Sequence, residues 1–294
     1  MYNLRYHIAS LVSVFLALSL GLVLGGLIVQ KGSFSSQPQA LVEGLRKEFA
    51  DLRKENKQLA AGNANYEAFS GAAANDWVSG KLAKRTIYVV TNSGRNDGLS
   101  AATQAIEDAG GTAVVVTMKA ARFGLNDDKL RSAVESLAAG AEKPEESIAA
   151  SLAVEWTNAT DARPVTEALV AADVISIEGL EETKDDTGAD VIPVAGGFVN
   201  IDAPGSKADS AGLALQTALA GHKVPTVGAQ SAGTKWTLAS AAADLDLPAI
   251  DTLGTDIGKY SLVALLHGAK TGYYGTAGRA VALFPTFPAK TPAQ

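Results

Sequence analysis

The hydrophobic and polar positions along the chain fall into three successive patterns. The first is a continuous apolar run. From Ile8 to Val29, 22 residues carry no charge, amide or proline. About 20 such residues cross the hydrocarbon core of a bilayer as a helix, so residues 1–31 are expected to form a membrane anchor. A cleaved signal peptide is the competing reading. Its apolar region is usually about 7–15 residues, and no small-residue cleavage pattern follows the run directly. Within the run Ala9, Ser13, Ala17, Gly21 and Gly25 recur every fourth position. A stripe of this kind lets two helix backbones approach closely, and Gly21 and Gly25 are its expected contact points.

After a Gly/Ser/Pro segment from Gly32 to Pro38, the apolar spacing alternates three and four. Val42, Phe49, Asn56 and Asn63 take heptad position a. Leu45, Leu52, Leu59 and Tyr66 take position d. This pattern predicts a coiled-coil stalk over residues 39–69. An Asn at position a needs a partner amide across the seam, which fixes register and favours a parallel homodimer. Glu48 at g and Arg53 at the following e can pair across such a dimer. The alternative is a single amphipathic helix docked on the chain's own head. At about 1.5 Å per residue, the stalk would hold the head roughly 40 Å from the membrane.

The third pattern alternates short β-branched runs with helical periodicity, over residues 80–284. Thr86–Thr91 and Thr112–Met118 read as buried strands, with a helix from Leu99 to Ala109 between them that ends at Gly110-Gly111. Helices are expected over 125–139, 145–155 and 164–172, and strands at Val174–Ile177, Val191–Val194 and Val224–Val227. Ser206 and Asp209 resemble a capping box opening a helix that ends at Ala220. A helix over Ile257–His267 and a strand over Arg279–Phe284 follow. Strands alternating with helices predict an α/β fold, a mostly parallel sheet domain flanked by helices. The Pro-rich tail, residues 285–294, is expected to be extended and mobile.

Charge and composition narrow the function classes. The chain has a net charge of −6, and residues 70–294 hold 18 Lys and Arg against 26 Asp and Glu. An acidic head offers no footprint for nucleic acid and no polybasic patch for anionic lipid. With no cysteine, the chain has neither disulfides nor thiolate chemistry. That absence suits either side of a membrane. Arg5 before the apolar run and the large domain after it favour a cytoplasmic N-terminus with an extracytoplasmic head, although Lys31, Arg46 and Lys47 weaken the charge bias.

Candidate chemistry is sparse. Asn92, Ser93 and Gly94 follow the first strand, and Gln230 and Ser231 follow a later one. The two groups would line a ligand crevice if both reach the carboxyl edge of the sheet. The first is neither a dinucleotide fingerprint nor a P-loop, and an ordinary strand-to-helix turn accounts for it. Ala229-Gln-Ser231-Ala-Gly233 is similar to a nucleophile elbow, with Asp251 or Asp256 and then His267 in triad order. A structural turn explains it better, because His267 sits in an apolar helical pattern. The acids Glu181, Glu182, Asp185 and Asp186 read as a solvated loop. Trp77, Trp156 and Trp236 read as isolated core residues. No catalytic residue, metal site or cofactor is assigned.

The N-terminal stretch Leu4-Arg-Tyr-His-Ile-Ala-Ser-Leu-Val-Ser through Gly25-Gly26 resembles the mycobacterial copper transport protein B (MctB) family of actinobacteria. Gly258-Lys-Tyr-Ser-Leu-Val-Ala-Leu and Gly272-Tyr-Tyr-Gly275 are similar too, as is the order of anchor, heptads and head. The resemblance implies copper efflux or homeostasis in the cell envelope. Members like corynebacterial SteB imply instead a role in cell separation, with a membrane-protein partner and control of a peptidoglycan hydrolase. Cu(I) prefers thiolate and thioether ligands. The chain has no Cys, two Met and three scattered His. One apolar helix also offers no polar conduit. The residues therefore favour a non-enzymatic scaffold or regulator over a conductor of copper.

Overall fold

The computed structural model describes residues 4–30, 36–92, 98–119, 144–158, 163–179, 193–201, 210–233 and 238–287. The chain divides into two compact units, Met1–Tyr66 and Glu67–Gln294. The first contains helix α1 (Leu4–Gln30) and most of helix α2 (Ser36–Val78). Among the described residues, His7–Leu27 is the one stretch long and apolar enough to cross a membrane. Every described side chain from His7 to Leu27 is exposed in the single chain. α2 continues past the stalk's expected end at residue 69, and its last turns belong to the second unit.

The second unit is an α/β domain with seven strands among the described residues. They are β1 (Thr86–Asn92), β2 (Thr112–Met118), β3 (Ile175–Glu178), β4 (Gly197–Ile201), β5 (Thr226–Ser231), β6 (Ala249–Leu253) and β7 (Tyr273–Tyr274). Their order is β3-β2-β1-β4-β5-β6-β7, with every neighbouring pair parallel except β2 and β3. The helices are α3 (Leu99–Asp108), α4 (Pro144–Thr157), α5 (Pro164–Ala171), α6 (Ser210–Gly221), α7 (Leu238–Asp244) and α8 (Asp256–Leu266).

β1 shows why the sheet needs two covers. Its alternate residues feed different cores: Tyr88 and Val90 join one, Ile87 and Val89 the other. The first core sets β2 and β4 side chains against α4, α5 and α6, through Ile148, Leu152, Leu169 and Leu215. The second takes Val78 from the end of α2, Leu82 from the turn after it, Ile106 from α3, and Leu262 and Leu266 from α8. A strand buried on both faces reads as a continuous β-branched run, and Thr86-Ile-Tyr-Val-Val-Thr is one.

Trp156 at the end of α4 organises the first core. It is fully buried and stacks on Tyr88, ring centroids 4.5 Å apart. Its indole N–H donates to Thr166 Oγ1 at 3.1 Å. The neighbouring Glu155 carboxylate accepts from the backbone N–H of Val165 at 2.7 Å, and from the N–H and hydroxyl of Thr166 at 2.9 and 2.7 Å. It thereby satisfies the free N–H groups at the start of α5, where negative charge is also favoured by the helix dipole. Arg163 donates to the carbonyls of Glu155 and Asn158, at the end of α4.

Several expectations shift. Of the strand expected at Val191–Val194, Pro193 and Val194 are irregular and residues 191 and 192 lie outside the described residues; the described strand in this region is Gly197–Ile201. The strand expected over Arg279–Phe284 reduces to one bridge, Ala282 to Tyr274. β6 and β7 were not anticipated, and the helical stretch expected after Gly233 is α7. Trp77 is exposed and not a core residue. The tail starts packed: Pro285 is buried, and Phe287 packs on the second core with Lys81 over its ring. The helix expected over 125–139, the capping pair Ser206 and Asp209, the acids 181–186, Trp236 and residues 288–294 lie outside the described residues.

Replacing Glu155 with Ala strands the N–H groups of α5 in the interior. Chemical unfolding should show a loss of about 2–4 kcal/mol. A loss under about 0.5 kcal/mol, typical of a surface substitution, would show that the carboxylate does not hold the two helices together.

Candidate functional site

The heptad residues Val42, Leu45, Phe49, Asn56, Leu59 and Asn63, together with Leu52 and Tyr66, share one face of α2. All are exposed in the single chain, the six large apolar ones among them between 45% for Leu45 and 76% for Tyr66. Gly21 and Gly25 are likewise open: a Cβ added at either would meet nothing within 4 Å.

Past Tyr66 the helix continues into the head, and there its surroundings change. The Ser70 hydroxyl donates to the Asp256 carboxylate in the first turn of α8, Ala74 is 3% exposed and Val78 is fully buried. Lys259 of α8 donates to Asn75 and forms an ion pair with Asp108 at the end of α3. That ion pair holds the Asp108 carboxyl below its ordinary range, with the Lys259 hydrogen bond as the main cause.

Beside these contacts lies an apolar groove of about 360 Å³. Phe69, Ser70, Ala73, Ala74 and Trp77 of α2 line one side. Tyr260 forms its centre, with edge-on ring contacts to Trp77 at 5.6 Å, Phe284 at 5.8 Å and Phe287 at 5.1 Å. Reading the sequence missed this groove, although one signal was available. The three–four spacing continues beyond Tyr66 through Ser70, Ala73 and Trp77, so Trp77 falls on a heptad position.

Of the residues expected to line a crevice, Asn92 lies at the carboxyl end of β1, and Gln230 and Ser231 at that of β5. The strand order reverses at the β1/β4 pair, the kind of place where ligands of doubly wound sheets bind. Asn92 ends β1 there, while Ser93 and Gly94 lie outside the described residues. Ser231 ends β5 close to Gly98, whose φ is +85°. A Cβ on Gly98 would stand 2.9 Å from Ser231 Oγ and 2.8 Å from Leu253 Cδ2, so only glycine fits. Gln230 is buried, and its side-chain oxygen accepts from the Ala239 N–H at 3.4 Å, in the first turn of α7.

The residues in triad order are not brought together. α8 runs back from the carboxyl edge, so His267 at its end lies with Lys81, whose carbonyl is 2.9 Å from His267 Nδ1. Asp256 holds Ser70. Asp251, buried in β6, accepts from the Tyr273 hydroxyl at 2.9 Å and from the backbone N–H groups of Thr276 and Ala277, both at 2.8 Å. Gly275 closes this loop at φ +146°, where a Cβ would overlap the Asp251 carboxylate.

The chain is thus an α/β protein with one N-terminal helix long and apolar enough to cross a membrane. Residues 1–285 match the family described as "Copper transport outer membrane protein, MctB", and the chain belongs to that family. Proteins named copper transporter MctB, from Mycobacterium bovis and from Mycobacterium tuberculosis, are 28% identical to it over 94% of this chain and 96% of theirs. No solved structure gives a significant match.

The Asp251 clamp has a pH signature. Burial first, then the Asp251 hydrogen bond and charge, push the Tyr273 hydroxyl up to about 12. An unfolded tyrosine titrates near pH 10. The raised folded value means that the contribution is complete below about pH 10 and is lost as pH rises toward 12. Tyr273→Phe should start about 1 kcal/mol less stable and decline less steeply across that window in unfolding measurements. Parallel decline of the two proteins would refute the assignment.

Proposed function

We propose that the chain is a single-pass, parallel homodimeric protein of the cell envelope. It acts as a non-enzymatic scaffold or regulator, presenting its coiled coil and α/β head to a membrane or cell-wall partner in cell separation. The observation that carries this reading is the exposed a/d stripe of α2. Six large apolar side chains on one helix face, between 45% and 76% exposed, call for a covering partner. Asn56 and Asn63 in the seam favour a second copy in parallel register. The N-terminus is cytoplasmic and residues 32–294 are extracytoplasmic in this reading, so protease added to spheroplasts should digest the head.

The second reading is copper transport or homeostasis. It is favoured by the family description and by the names of the mycobacterial relatives. The donor chemistry of the chain weighs against it. Cu(I) prefers sulfur ligands, Cys is absent, and Met118 is wholly buried. A competition titration of the full-length protein separates the two. A stoichiometric, submicromolar Cu(I) site would move the assignment to copper.

Leu45→Asp with Leu52→Asp places charges in the seam at a cost of several kcal/mol, more than a short coiled coil can spare. Ultracentrifugation in detergent should show the dimer lost. The α/β domain should remain folded, because its cores draw on no residue before Ala74. Complementation of a deletion strain should fail. Full complementation by a variant shown to be monomeric would remove the dimer from the mechanism.

A further inference from the structure

We infer that the aromatic groove at the root of α2 is a docking site for a second copy of this chain, filled by the partner's Phe69. The inference rests on the parallel coiled-coil reading above and adds to it where the coiled coil ends and what closes it.

The argument starts from register. α2 is unbroken to Val78, so the heptad that places Tyr66 at d places Ser70 at a, Ala73 at d and Trp77 at a. Phe69 then falls at g and Ala74 at e, the positions flanking the seam. From Ser70 onward one flank is already occupied. The Ser70 hydroxyl is committed to Asp256, and Ala74 and Val78 are buried against the chain's own head. A second helix cannot pack symmetrically along this stretch as it can from Val42 to Tyr66. What stays open is the groove.

In a parallel two-stranded coil, a g residue reaches toward the e residue five positions further on in the other helix, the same relation that pairs Glu48 with Arg53. The residue that Phe69 reaches toward is therefore the other copy's position 74, and Ala74 lines the groove. The groove has the right shape and chemistry for it. Between Phe69 and Trp77 its α2 side carries only the small residues Ser70, Ala73 and Ala74, and its far side combines the rings of Tyr260, Phe284 and Phe287 with Ile257 and Asp256. A volume of about 360 Å³ admits an aromatic ring. Phe69 is 73% exposed and Trp77 58%, an apolar patch without cover in the single chain. A two-fold axis along the seam makes the contact reciprocal, with each copy giving one ring and receiving one.

Because the chain has no cysteine, single cysteines report proximity cleanly. Full-length Leu52→Cys should form a disulfide-linked dimer in membranes, reporting the parallel seam. Two differently tagged copies, one Phe69→Cys and the other Ala73→Cys, should be joined by a short bismaleimide. The yield should be at least about tenfold above Phe69→Cys paired with Lys84→Cys. In ultracentrifugation, Phe69→Ser should raise the dimer dissociation constant about tenfold or more, since it removes one buried aromatic ring from each of the two grooves. Trp77→Ser should do the same, and the double variant should add little to either alone. If the Leu52→Cys dimer forms while the 69–73 link does not and Phe69→Ser leaves the dissociation constant unchanged, the stalk reading stands and the groove assignment is wrong. A 69–groove link to a different protein overturns it in the same way. If Leu52→Cys does not crosslink, the parallel dimer falls and this inference falls with it.

Discussion

A single continuous helix with one apolar stripe changes its surroundings along its length, exposed in its first part and packed in its last turns, and the entry into the sheet follows from that. Up to Tyr66 the stripe is exposed. From Ser70 the same helix carries contacts to α8 and delivers Val78 to the second core. The seven residues after α2 then enter β1, and Arg85 fixes that entry. Its guanidinium donates to the carbonyl of Gly196, just before β4, and to that of Leu266, at the end of α8. Burial lowers the Arg85 pKa, so the charge is held by those carbonyls at a desolvation cost. The root of α2, the two central strands and the last helix of the sheet are therefore one connected unit.

Two buried carboxylates show how acidic residues are used inside the head. Glu155 gathers the first N–H groups of α5, and Asp251 gathers the Tyr273 hydroxyl of β7 and two backbone N–H groups from the segment after it. Each spends its acceptor capacity on backbone that would otherwise be orphaned. Asp251, which in sequence could stand as the acid of a triad, is in the fold a latch for the loop at Gly275.

These latches also mark the limit of what the sequence discloses. β1 and β2 were legible because each is a short run of mostly β-branched residues, Thr86-Ile-Tyr-Val-Val-Thr and Thr112-Ala-Val-Val-Val-Thr. β6 was not, because Ala-Ile-Asp-Thr-Leu carries an aspartate at its centre, and the groups that satisfy it lie over 20 residues away. β4 was placed too early, because Gly196-Gly197 reads as a turn and Asn200 as a loop residue. In the fold Gly197 packs under Ile87, and Asn200 is buried against Gly212. The helical course of α2 was plain from spacing alone. The groove was not, since Tyr260, Phe284 and Phe287 meet Trp77 only through tertiary packing.

The two ends of the sheet are unequal to its middle. β3, four residues long and antiparallel to its neighbour, closes one side, and β7, only two residues long, closes the other. Edges this short present few unpaired backbone groups to a passing strand. A head with such edges is a poor template for strand-to-strand polymerisation, so that even at high local concentration its most adhesive backbone is not the surface through which copies would join.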